Sequence, residues 1–144
     1  MGRNILVAVD DSAYSRTAFD WALEQFPAED ITILHVINSA DIYRATGVED
    51  GMIADFEGLR ESQEKRAQEL LDSLQSEAED AGSSVAVDHV IGEVAKTIVN
   101  YADNNDFEHI ILGSRGRTGA SRILLGSVAE TVARRAGMPV TIVR

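Results

Sequence analysis

The sequence predicts an α/β protein: a doubly wound, five-stranded parallel sheet of strand order 3-2-1-4-5, with helices on both faces. Three observations carry this. Short apolar runs rich in β-branched residues alternate along the chain with longer stretches of helical period. Right-handed crossovers between such strands put the intervening helices on both faces of the sheet. The 144 residues, 44% hydrophobic and 26% charged, suit one domain spanning 1–144 with a single core of useful size.

The elements follow in order. Ile5-Leu6-Val7-Ala8-Val9 and Ile31-Thr32-Ile33-Leu34-His35-Val36-Ile37 are apolar enough to be buried strands of a parallel sheet. Between them, Ala13 to Phe26 carries Ala18, Trp21, Ala22 and Leu23 on one helical face, with Trp21 packing this helix on the sheet. Ser39 to about Asp55, containing Gly47 and Gly51, reads as an irregular loop. From Phe56 to Ala81 the positions Leu59, Ala67, Leu70, Leu71, Leu74 and Ala78 recur at helical spacing, and Gly82 marks the stop. Val85 to Val90 mixes apolar and polar residues as an edge strand does. Val94 to Tyr101 is a helix, His109 to Leu112 a strand, Val128 to Ala136 a helix ended by Gly137 and Pro139, and Val140 to Val143 the last strand.

In this order the winding reverses between strands 1 and 4. Ligands of such sheets sit at that reversal, outside the carboxyl ends of the strands. Two segments are therefore marked, Val9-Asp10-Asp11-Ser12 and Gly113-Ser114-Arg115-Gly116. The second opens a longer pattern: Gly113 and Gly116 are followed, after nine residues, by Gly126-Ser127 at a helix start. Glycines allow close backbone approach, and a helix start offers unpaired N–H donors aligned with a favourable dipole. Arg115, Arg117 and Arg122 can supply positive charge, and the Ser127 hydroxyl a further donor. The arrangement is a phosphate cradle rather than a Walker loop, which needs Lys-Ser or Lys-Thr after its last glycine. The competing reading is a Gly-rich turn in which Ser127 only caps the helix.

This constellation resembles the signature of the universal stress protein family (UspA type) in its nucleotide-binding branch, G-x-x-G, nine residues, then Gly-Ser or Gly-Thr. The resemblance extends to Ala8-Val9-Asp10, Leu34-His35-Val36, Gly92 and Met138-Pro139-Val140-Thr141-Ile142-Val143. It implies an adenine nucleotide alpha hydrolase-like fold that holds ATP, or another adenine nucleotide, with Mg²⁺. Val9 and Asp10 would lie beside the nucleotide, and Val36 would meet the adenine edge through its backbone. Gly113, Gly116, Gly126, Ser127 and Val128 would hold ribose and phosphates, with Arg117 adding charge. It further implies a homodimer through the last strand, Pro139 to Val143.

Other candidates are weaker. Asp10 and Asp11 could hold Mg²⁺ together with phosphate oxygens, whereas Asp11 or Ser12 could simply cap the first helix. The same pair is found in phosphoacceptor receiver domains, but the acid ending strand 3 and the lysine ending strand 5 are missing. His35, His89 and His109 lie on three different strands without metal spacing and read as structural. Ser127 lacks a His-Asp partner at recognisable spacing. Glu130 and Arg134 read as a surface ion pair.

Composition narrows the classes further. A net charge of −11 argues against nucleic acid or an anionic membrane as partner. With no cysteine there is no disulfide, thiolate catalysis or Cys-ligated metal, which suits a cytoplasmic protein. No apolar stretch approaches the roughly 20 residues that span a bilayer, and no signal peptide is evident. The basic residues are eleven Arg and two Lys, so the acidity fits either high-salt adaptation or an acidic mesophilic protein. Charge is also uneven, with a net of −16 over residues 1–112 and +5 over 113–144. Positive charge therefore begins at the first glycine of the cradle. Three functions are compatible: an ATP-binding regulatory or stress-response protein with at most slow hydrolysis and a protein partner reading its state; an ATPase or phosphotransferase using Asp10, Mg²⁺ and Arg117; or an interaction module with an empty loop.

Overall fold

Parallel pairing dominates the computed structural model, which describes residues 2–45, 56–115 and 125–144. The strands are Asn4–Ala8 (β1), Asp30–Asn38 (β2), Val85–Gly92 (β3), His109–Gly113 (β4) and Val140–Val143 (β5). They form one five-stranded parallel sheet in the order β3-β2-β1-β4-β5. The helices are Ala13–Gln25 (α1), Ser39–Ala45 (α2), Phe56–Asp80 (α3), Val94–Asn104 (α4) and Ser127–Arg135 (α5). The doubly wound sheet of the sequence is what the chain forms.

Alternate residues of each strand feed two cores. Ile5, Val7, Val9, Ile31, Ile33 and Ile111 face Ala18, Phe19 and Ala22 of α1 and Leu71, Leu74 and Ala78 of α3. Leu6, Ala8, Leu34, Val36, Ile110 and Leu112 face α4 and α5. Ile5, Leu6 and Val7 are fully buried; each such side chain contributes about 1.5–3 kcal/mol relative to exposure. β1 is thus sealed on both faces, as the continuous apolar run requires.

Element ends follow from local chemistry. Ser12 caps α1, its Oγ accepting the Ser15 N–H. This resolves the choice between Asp11 and Ser12. α3 ends in a Schellman arrangement: Gly82 has φ +85°, with its N–H bonded to the Glu79 carbonyl and that of Ser83 to the Ala78 carbonyl. β3 is an outer strand of the sheet, as its mixed pattern anticipates.

One expectation is corrected and a second refined. Ser39 begins helix α2 rather than a loop, because Asn38 Oδ1 accepts the Ala40 N–H at 3.0 Å and Ile42 is buried against Ile37 and Ala67. The rest of that predicted loop, 46–55, lies outside the described residues. Trp21 does pack against this core, but half-buried at its margin and edge-on to Phe26, while Phe19 is the fully buried aromatic of α1. Helical periodicity placed the face correctly within one residue of rotation.

Candidate functional site at the carboxyl ends of the central strands

β1 lies between β2 and β4, and its crossovers leave in opposite directions, so a crevice opens beyond its carboxyl end. Val9 continues β1 by one hydrogen bond, its N–H donating to the Leu34 carbonyl at 2.9 Å. Its own carbonyl is met by His35 Nδ1 at 2.8 Å, which ends the ladder there. In a parallel ladder, backbone direction repeats every second residue. The backbone groups of Val36 therefore turn to the same side as those of Leu34, past the last residue of β1 and toward the crevice. The Val36 side chain is buried in the α4–α5 core.

Asp10 follows at the floor of the crevice in a tight turn. Its Oδ1 accepts the Ser12 N–H at 2.8 Å and the Ser15 hydroxyl at 2.9 Å. Asp11 is exposed. Across from this turn, β4 delivers Gly113, Ser114 and Arg115. Gly113 lies so close to α1 that a Cβ there would stand 2.7 Å from the Tyr14 carbonyl oxygen. Ser114 is 3% exposed, its N–H bonded to the Val143 carbonyl at 2.8 Å. The Arg115 guanidinium sits 5.8 Å from the centre of the Tyr14 ring.

The start of α5 is brought to the same place. The Gly126 N–H donates to the Ser114 carbonyl at 2.6 Å, clamping both ends of the glycine loop together. Gly126, not Ser127, is the N-cap of α5, and as a glycine it offers the helix no side-chain acceptor. Ser127 is thus the first helical residue, exposed, with Val128 half-buried behind it. The capping role offered for Ser127 is corrected. The first-turn amides of α5 receive no side-chain bond from their N-cap and carry the positive end of the dipole. Such donors fit an anion, so the residues present suit a nucleotide phosphate. Gly116, Arg117 and Arg122 lie outside the described residues.

Ser15 and Ser114, both buried polar residues at the crevice, were not singled out from sequence. A serine five residues after an acid has no signal of its own until the turn folds it back. Near the end of β2, Ser39, Ile42, Phe56, Arg60 and Ile91 line a cleft of about 340 Å³. Among the described residues, no three His, Asp or Glu side chains converge on a metal-sized site. No described helix is long and apolar enough to cross a membrane.

His109 has its partners away from the crevice. His109 Nε2 lies 2.7 Å from Thr141 Oγ1, and its ring meets Phe26 edge-on at 5.6 Å. Burial, with the charge of Arg3 behind it, pushes the His109 pKa down. Glu130 and Arg134 form the expected pair at 2.6 Å, with both side chains well exposed.

A crevice at the reversal of a five-stranded, doubly wound parallel sheet defines a class of small α/β proteins. The chain belongs to the universal stress protein family, whose model matches residues 1–144. It is 30% identical over 155 residues to universal stress protein MJ0577 of Methanocaldococcus jannaschii, covering 100% of this chain and 96% of that protein. The solved structure of MJ0577 superposes with a TM-score of 0.83 over 99% of this chain and 96% of the other. Universal stress protein YxiE of Bacillus subtilis is 30% identical over 148 residues, with complete coverage of both. The universal stress protein of Archaeoglobus fulgidus, solved in complex with dAMP, shares the fold at TM-score 0.69 and 23% identity, covering 99% of this chain and 98% of that one.

Proposed function

We propose that this chain binds an adenine nucleotide, ATP with Mg²⁺, in the crevice beyond β1, and acts as a cytoplasmic regulatory or stress-response protein whose nucleotide state is read by a protein partner. The observation that carries this is the Gly126–Ser114 clamp, which sets the glycine-capped start of α5 opposite the Asp10 turn. Family membership and the dAMP complex of the Archaeoglobus relative support the same ligand class. Phosphates would lie against the first-turn amides of α5, with Gly126, Ser127 and Val128, and with Gly116 and Arg117 from the loop. The adenine edge would meet the Val36 backbone, with Val9 and Gly113 forming walls. Asp10 would face the ribose or a phosphate-bound Mg²⁺.

Bound Mg²⁺ would offset phosphate charge; the chain's own part is to hold and orient. Asp10 Oδ1 already accepts two protein donors, an arrangement suited to a fixed contact rather than to proton transfer. Hydrolysis is therefore expected to be slow. The exposed edge of the sheet at Pro139 to Val143 would join two copies as a homodimer.

Calorimetric titration with MgATP tests the reading, together with mass spectrometry of nucleotide released on denaturation. Binding is expected, weakened about 10- to 100-fold in Asp10→Ala through loss of one charge-assisted contact. No binding heat and no released nucleotide would leave the crevice without this function. Fast steady-state hydrolysis abolished by Asp10→Ala would instead make the protein an ATPase or phosphotransferase.

A further inference from the structure

The turn after β1 holds a buried hydroxyl that the nucleotide reading leaves unused. Ser15 is 6% exposed. Its Oγ lies 2.8 Å from the Asp10 amide nitrogen and 2.9 Å from Asp10 Oδ1. It accepts from the first and donates to the second, so both bonds close on one residue. The Ser12 N–H reaches the same Oδ1 at 2.8 Å, while Ser12 Oγ accepts the Ser15 N–H at 3.2 Å. Asp10 is thus tied at its backbone and at one carboxylate oxygen by the first turn of α1.

Two donors use both lone-pair directions of Oδ1. The carboxylate plane presented to a ligand is then the one that Ser15 and Ser12 hold. An acid free to rotate would lose conformational freedom on binding; one already held in place does not. We infer that Ser15 is a positioning residue for the nucleotide site, acting through the Asp10 carboxylate rather than by touching the ligand. The inference rests on the proposal that Asp10 contacts nucleotide.

A double-mutant cycle read by MgATP calorimetry tests it, with folding of each variant checked by circular dichroism. Ser15→Ala is expected to weaken binding about 10-fold. The Asp10→Ala, Ser15→Ala double variant should bind no more weakly than Asp10→Ala alone, because Ser15 acts only through that carboxylate. Ser15→Thr, which keeps the hydroxyl, should recover most of the affinity. If Ser15→Ala fails to fold, Ser15→Cys fills the same space with a poor donor and takes its place in the cycle. Wild-type affinity in the Ser15 variant while Asp10→Ala is weakened overturns the inference alone. Multiplying losses in the double variant overturn it as well. Unchanged binding in Asp10→Ala overturns the reading of Asp10 itself.

Discussion

A Cβ at Gly113 would stand 2.7 Å from the carbonyl oxygen and 3.0 Å from the Cβ of Tyr14, both on the first turn of α1. Backbone cannot retreat as a flexible side chain can, so Gly113→Ala must shift α1 against β4. We expect it to destabilise the fold by about 1–3 kcal/mol in urea unfolding, whether or not nucleotide is present. A variant as stable as wild type would show that α1 yields. The motif spacing assigned Gly113 to phosphate, and nothing local could reveal its packing demand, because the atoms it would strike lie about a hundred residues earlier in the chain. Gly126 and Ser127 were legible as a helix start, but which of the two caps it depended on the bond to Ser114. His109 is a second residue whose behaviour belongs to its neighbours. Burial and Arg3 hold its pKa below the ordinary value of 6.5, so the folded state prefers the neutral ring. Its contribution to stability is complete above the unfolded-state pKa and is lost as pH falls through the lower, folded-state one. Wild-type stability should therefore fall more steeply below pH of about 6.5 than that of His109→Gln, which cannot titrate. Parallel slopes in urea midpoints across that range would reject the assignment.

At the scale of elements, the strands were the most legible part because burial on both faces leaves an apolar run that few other structures share. Their bounds moved by one or two residues, where pairing extends past the last apolar side chain. α2 was hidden because a short helix of mixed polarity, started by an Asn38 turn, has too few positions to display a period. The junction between α4 and β4 was also missed. There Asp106 takes φ +57°, and the Phe107 N–H bonds back to the Ala102 carbonyl at 3.0 Å. This shares with the α3 ending the left-handed residue and the longer-range of its two closing bonds, made with a residue that has a Cβ. A non-glycine residue in the left-handed region costs about 1–2 kcal/mol, partly offset by its smaller unfolded-state entropy. Asp106→Gly should then raise stability by about 0.5–1 kcal/mol, and Asp106→Val should lower it. Thermal melts of the two variants check this, and a destabilised glycine variant would mean that the Asp106 side chain contributes more than the backbone strain costs.

Over the whole molecule, charge and sheet edges decide what the protein can meet. The net of +5 over residues 113–144, against −16 over the preceding 112, puts the positive potential on the cradle, α5 and β5. That division was fully legible, since charge is additive along a sequence; an edge is a property of pairing and needs the topology. β5 is one of the two outer strands, and each of its residues is only partly buried. Its register shows which groups are free to pair. The Ile110 N–H bonds to the Pro139 carbonyl, and the Ser114 N–H bonds to the Val143 carbonyl. Pro139, Thr141 and Val143 therefore turn their backbone groups toward β4, and Val140 and Ile142 turn theirs outward. A proline removes one N–H and is tolerated in a strand only where that N–H points away from the ladder. Ile142→Pro should consequently retain the β4–β5 pairing while removing a donor from the proposed dimer edge. Thr141→Pro removes a ladder donor and should cost more in stability. In sedimentation equilibrium, wild type should be a dimer and Ile142→Pro a folded monomer by circular dichroism. If Ile142→Pro dimerises as tightly as wild type, two copies do not join along this strand, and the contact must use a helix face instead.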